Sequence, residues 1–201
     1  MKRKTLDLIL TAIGGVMTVV LVVAGGLLLW GANFASDNVH NQLAQQEIYF
    51  PTPAELAQAK PGTEVTPAML PYLQPYAGQQ VLTGPQAETY ADHFIAEHLY
   101  AMPYHGVYAN ISEASRANPS DTKLAALEQT SFQGTTLRGL LLEAYGFWKF
   151  GEIAFIAAIC SFVLAGIMLV LTVLGFVHFR RVPEEAEFPK QHESVGVLQP
   201  A

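Results

Sequence analysis

LILTAIGGVMTVVLVVAGGLLLW, residues 8–30, contains no charged side chain. A second block, IAFIAAICSFVLAGIMLVLTVLGFVHF, residues 153–179, has none unless His178 is protonated. A bilayer's hydrocarbon core, about 30 Å thick, takes about 20 apolar residues in a helix. Each block is long enough to cross, with some length left for tilt. Buried helices of soluble proteins rarely run so far without a polar face. The two blocks therefore set the fold class: mainly α, with two transmembrane helices flanking a small extracytoplasmic helical domain and stalk helices continuous with the spans. The expected divisions are a cytoplasmic N-terminus 1–7, helix 8–30, domain 31–152, helix 153–179 and a tail 180–201.

The first block exceeds the roughly 7–15 residues of a secretory h-region, and WGANFASDN after it offers a poor cleavage site. An uncleaved signal anchor is expected. Orientation follows from basic residues near the spans. Lys2, Arg3 and Lys4 precede the first, and Arg180 and Arg181 follow the second. On the other side of the spans the nearby cation is Lys149. Both termini are placed in the cytoplasm of a plasma-membrane protein, with 31–152 facing out. Trp30, Phe34 and the run YGFWKFG, 145–151, suit the headgroup level, where amphipathic rings settle.

Charged residues make up only 14% of the chain, against about 25% in soluble domains. Residues 31–151 hold five basic and eleven acidic side chains. That balance disfavours nucleic acid and anionic headgroups as partners. The single cysteine, Cys160, lies in the second span, so no intrachain disulfide can form.

Between the spans the pattern is helical and interrupted. SDNVHNQLAQQEIYF, 36–50, continues the first span as a short stalk. Thr52, Pro53 and Glu55 make a capping box with proline at the first helical position. A second start at Thr66 and Pro67 is cut short by Pro71 and Pro75, leaving turns, a short helix and extended chain over 61–84. Thr83 and Gln86 open a further helix. Tyr90, Ala91, Phe94, Ile95, His98, Leu99 and Met102 follow on one broad apolar face, and Pro103 ends it. ISEASRA predicts one short helix, and Pro119 to Leu127 another. TTLRGLLLEAYGFWKF, capped by Thr135 or Thr136, runs into the second span. Tyr90, Phe94, Ile95, Leu99, Leu124, Leu127, Phe132, Leu137 and Leu141 are the expected core.

ADHFIAEHLYAMPYH, 91–105, is the stretch richest in chemistry. His93 and His98 lie about 140° apart at 100° per residue, so one helix cannot bring both to an ion. Zinc spacing H-E-x-x-H needs i and i+4, and His93 shares its face with Glu97 instead. That pair reads as a surface hydrogen-bonded pair. His98 reads as a buried, hydrogen-bonded histidine. His98, Met102 and His105 form a conceivable soft-metal set, weaker than these plain structural readings. No catalytic motif and no cofactor signature is present.

Small residues mark helix contacts. Ala157, Ser161 and Ala165 sit at i, i+4 and i+8, Gly139 and Gly146 share a face, and Gly14, Gly15, Gly25 and Gly26 thin the first span. These faces serve packing of the two helices on each other, docking of a partner's helix, or self-association. No ionisable residue lies mid-span, which disfavours ion transport by this chain alone.

Three stretches carry a resemblance: ANFASDNVHNQLAQQEIYFP (32–51), YAGQQVLTGPQAETYADHFIAEHL (76–99) and LRGLLLEAYGFWKFGEIA (137–154). The chain resembles a group of actinobacterial two-pass membrane proteins over most of its length except the tails. The resemblance implies a Gram-positive-type envelope and brings no catalytic residues. Some members carry the label aromatic ring-opening dioxygenase. That chemistry uses an iron site, commonly two histidines and a carboxylate, and no convergent set of that kind is visible here. The expectation is a non-enzymatic accessory or interaction subunit of a cell-envelope membrane complex, beside another membrane protein or a second copy. The alternative is an extracytoplasmic ligand-binding or metal-handling protein.

Overall fold

A computed structural model describes residues 3–181. The readings of Lys2 and of the tail from residue 182 onward fall outside the described residues. The chain is mainly helical, 82%, and no strand forms among the described residues.

Helix α1 runs Arg3–Gln46 and helix α7 runs Thr122–Arg181. Both are long and apolar enough to cross a membrane, and only 17% and 11% of their most apolar windows are buried. The core helix of a soluble protein would bury most of such a window. Between them lie α2 (Pro53–Leu56), α3 (Leu70–Leu73), α4 (Gly84–Tyr90), a π turn (Ala91–Ile95), α5 (Ala96–Ala101) and α6 (Tyr108–Ala117).

Contacts divide the chain into two compact units. The first combines residues up to Leu28 with those from Ile156 onward, and the second is Leu29–Phe155.

In the first unit, bare glycine positions on one helix meet bulkier side chains on the other. A Cβ at Gly14 would lie 2.6 Å from the Thr172 hydroxyl, one at Gly25 2.9 Å from the Phe162 ring, and one at Gly175 2.9 Å from the Thr11 hydroxyl. Ala158 and Ala165 are buried there. This is close approach through small residues, as expected where apolar surface alone gives helices no reason to associate. Thr18 and Thr172 donate their hydroxyls to the carbonyls of Gly14 and Met168, 2.8 and 2.7 Å away, which satisfies them without water. The large residues (Val16, Val19, Leu27, Ile167, Val170, Leu174) face outward.

The second unit is built in the opposite sense. Its core contains Val39 and Leu43 of α1, Phe50, Leu56, Val65, Met69, Leu73 and Val81, Ala87 of α4, Ala91 and Ile95 of the π turn, and Leu141 of α7. Most of it comes from 39–81, read from sequence as a stalk, a capped helix start, and turns with a short helix and extended chain. Leu124 and Leu127 are only partly buried, while Phe132 and Leu137 are exposed, so the expected core is corrected at those four positions.

Local rules hold at the starts of α2 and α4. Thr52 accepts from the Glu55 amide while Glu55 accepts from the Thr52 amide, and Thr83 and Gln86 repeat the arrangement. α1 ends where Glu47 turns left-handed, φ 51. Gln80 then donates to the freed Ala44 carbonyl at 2.9 Å. An antiparallel bridge pairs Tyr49 with Gln80, and Phe50 N–H and Val81 N–H donate to Gln79 and Ile48 carbonyls at 2.9 and 2.8 Å. That pairing folds 48–51 back onto 78–81 and sets Phe50 into the core.

One helix boundary is corrected. The expected break between Leu127 and Thr135 does not exist, because α7 is one helix from Thr122, capped by Asp121. No proline falls within it. Gly134 costs about 1 kcal/mol relative to alanine by propensity, offset because its bare surface admits Leu99, 2.8 Å from where a Cβ would stand.

Candidate functional site

The helix carrying the histidines departs from the geometry assumed for it. Residues 91–95 form a π turn, with the Ala96 N–H donating to the Ala91 carbonyl. The angle of 100° per residue fails there, and positions five apart approach one face. The 140° argument separating His93 from His98 therefore loses its premise. π turns are frequent at functional sites, so the rings themselves decide.

Each histidine is stacked on a different aromatic ring. His93 lies flat on Tyr72, with centroids 3.4 Å apart and planes 3° apart. His98 packs on Phe94 at 4.5 Å, and its Nδ1–H donates to the Phe94 carbonyl at 2.6 Å. His98 is half-buried and hydrogen-bonded. His105 stacks on Tyr100 at 4.7 Å. Glu97 is exposed and Met102 half-buried. Among the described residues no group of three or more His, Cys, Asp or Glu side chains draws together as a metal site would.

A left-handed turn places His105. Tyr104, His105 and Gly106 have φ of 57, 53 and 64. Non-glycine residues pay about 1–2 kcal/mol each there, so the turn needs external support. Buried Ser131 of α7 donates to the Gly106 carbonyl at 2.8 Å. Gly106 itself packs so closely that a Cβ would stand 2.3 Å from the Leu99 carbonyl oxygen. A second tie to α7 is the Asp92–Arg138 ion pair at 2.6 Å.

The packing positions separate into two sets. Ala165 is buried, and Ala157 and Ser161 are half-buried. The fully buried alanine beside them is Ala158, one position from the expected stripe. Gly139 and Gly146 are corrected as contacts within the chain, since a Cβ at either would meet nothing within 4 Å. The glycines that admit a neighbour in this unit are Gly84, against Trp148, Gly134, against Leu99, and Gly151, against Ala32 and Ala35.

A cleft of about 460 Å³ went unread in the sequence. Its walls include Tyr49, Phe50, Tyr90 and Phe94, and the carboxylates of Glu55 and Glu64 border it. Phe50 meets Tyr90 edge to face at 5.4 Å, and Phe94 lies 4.7 Å from Tyr90. Burial, and secondarily the charge of Glu64, push the Tyr90 phenol up, so it stays neutral. Bonds from the Thr52 amide and hydroxyl hold the Glu55 carboxyl below its ordinary value. The single local signal was the Thr52–Glu55 capping box, and closing the cleft needs the pairing of 48–51 with 78–81.

Comparison with known proteins adds no relative, since no family model, curated protein or solved structure matches the chain.

Proposed function

We propose that this chain is a two-span plasma-membrane protein acting as a non-enzymatic accessory or interaction subunit of a larger cell-envelope membrane complex. Both termini lie in the cytoplasm and 31–152 form a small extracytoplasmic helical domain. Basic residues at both chain ends of the spans support that orientation. The opposing cation, Lys149, is paired with Glu152 at 2.7 Å. The hydrogen bond that the Lys149 ammonium donates to Glu152 raises its pKa, and bonds donated by Lys149 and Trp148 lower that of Glu152.

One observation carries the interaction role. Phe132, Leu140, Phe147 and Phe150 recur along one face of α7 and are all exposed. The open glycines Gly139 and Gly146 sit on the same face. A groove of about 350 Å³ between α1 and α7, lined by Asn38, Gln42, Leu140 and Phe147 among others, borders it. At 1.5 Å per residue, Leu140 and Phe132 stand about 20 and 30 Å along the helix from residue 153. Headgroups reach only about 5–8 Å beyond the hydrocarbon, so lipid does not cover these side chains. A helix of another membrane protein would, with the glycines allowing close approach.

A photoreactive amino acid at position 132 or 140 of the full-length protein, irradiated in its own host, tests this. The expected product is a stoichiometric adduct with one other membrane protein, which also co-purifies in mild detergent. Adducts with lipid alone, or a chain that purifies alone or only with itself, would sink the accessory-subunit reading.

A further inference from the structure

The cleft bordered by Glu55 and Glu64 lies on residues 49–94, apart from the exposed face of α7, and carries an inference beyond the interaction role. Its volume falls within the roughly 300–1,000 Å³ of small-molecule sites. Its chemistry is one-sided. Two carboxylates border it, and no lysine, arginine or histidine is among its lining residues.

Both acids stand on ordered backbone. The Thr52 amide and hydroxyl donate to Glu55 Oε2 at 2.7 and 2.8 Å. Glu64 sits in a tight loop that the Lys60 N–H closes onto the Val65 carbonyl at 3.2 Å. The Thr63 hydroxyl lies 2.8 Å from both the Lys60 and Val65 carbonyls, and Gly62 takes the loop's left-handed position, φ 82. Among the described residues, neither acid is paired with a cation.

The walls complete the pattern. An aromatic face is negative at its centre and attracts a cation, most strongly one that sheds water easily. The rings of Tyr49, Tyr90 and Phe94 beside two carboxylates, that of Glu55 held by Thr52, suit a cation with an apolar coat. A metal ion would need several converging oxygens at about 2–2.6 Å, and an anion would be repelled. A neutral apolar ligand would leave the carboxylates unused.

We propose that this cleft binds a small organic quaternary ammonium ion, held by the rings of Tyr49, Tyr90 and Phe94 and by the charges of Glu55 and Glu64. Binding involves no covalent step. Tyr49 is 55% exposed, so it stands at the mouth and can be changed without opening the core.

The test uses the full-length protein in uncharged maltoside micelles and saturation-transfer NMR. The probes are choline and its neutral isostere 3,3-dimethylbutan-1-ol. Choline is expected to saturate with a Kd of about 1 mM or below, and the isostere to bind at least about tenfold more weakly. The double variant Glu55→Gln/Glu64→Gln keeps the capping box, since glutamine serves there too, and should lose about tenfold in choline affinity. Tyr49→Ala should lose several-fold, and it remains informative if the double variant misfolds. Equal binding of the isostere, an unchanged affinity in both variants, or no saturable choline signal up to about 20 mM overturns the proposal.

Discussion

The two units share the same two helices and solve opposite problems with them. From Ile156 onward α7 turns its isoleucines, leucines and phenylalanines outward and buries Ala158 and Ala165. Before Phe155 it buries Leu141 and Ser131, while Thr135, Thr136 and Glu143 are exposed. In the first unit a small residue marks the contact and a large one the free surface. In the second, large residues from loops and short helices fill the interior. Burying apolar area drives packing only where the alternative is water. Where the surroundings are as apolar as the side chains, close backbone approach is what remains. Glycines do not divide by unit: Gly14 and Gly25 in the first, like Gly134 and Gly151 in the second, admit a neighbour, whereas Gly139 and Gly146 are open.

The sharpest way to break the comparison is at the left-handed turn of the second unit. Gly106→Ala drives a Cβ into the Leu99 carbonyl at a φ of 64. It should cost about 4 kcal/mol, read as lost near-ultraviolet circular dichroism in micelles with the helical signal largely kept. A retained aromatic signal at the wild-type melting temperature would mean the turn is not built this way.

Next, matched leucines compare the two interiors. Leu73→Ala, fully buried, should cost about 3 kcal/mol. Leu169→Ala, about half-exposed in the first unit, should change stability by less than about 0.5 kcal/mol in the same thermal melt. Similar losses at both sites would erase the distinction between the units.

Glycines give a smaller contrast. Gly25→Leu meets the Phe162 ring and should cost about 1–2 kcal/mol. Gly139→Leu, with open space around it, should leave the isolated chain's melt unchanged while weakening cross-links from position 140. A destabilised Gly139→Leu chain would place an intrachain neighbour there.

The smallest effect is at Glu55. Its folded carboxyl lies below 4.5 because of the bonds from Thr52. Its contribution is therefore complete above that value and fades as pH falls through the lowered folded value. Glu55→Gln should flatten the melting temperature's acid-side slope slightly and leave it unchanged near neutrality. A slope identical to wild type would show that the capping contact carries no charge.

Much of the framework was legible from short stretches of sequence. Thr52 and Glu55 lie three residues apart, as do Thr83 and Gln86, so their reciprocal bonds need nothing distant. Pro103 ended its helix by itself. The two uncharged blocks announced helices long enough for a bilayer through length and composition alone. Reading a break before Thr135 failed because propensity is a weak prior that packing overrides. There Leu99, over thirty residues away, fills the place of the missing Cβ at Gly134.

The histidines mark the other limit. Sequence spacing assumes a uniform turn, and the π turn at Ala91–Ile95 changed it. The Tyr72 ring under His93 could not be foreseen, because that stacking depends on where the segment before Thr83 returns, whereas Phe94 and Tyr100 lie within five residues of His98 and His105. Sequence alone determined the Thr52–Glu55 and Thr83–Gln86 caps and the two long apolar helices, since each rests on bonds or surface within a few residues. Tertiary structure alone decided which glycines touch, that 39–81 supply much of the core, and that Tyr49, Glu55, Glu64 and Tyr90 share a cleft. Those contacts join residues distant in the chain, as far apart as Gly14 and Thr172, and the entropy of closing such loops is met only by packing that no local pattern encodes.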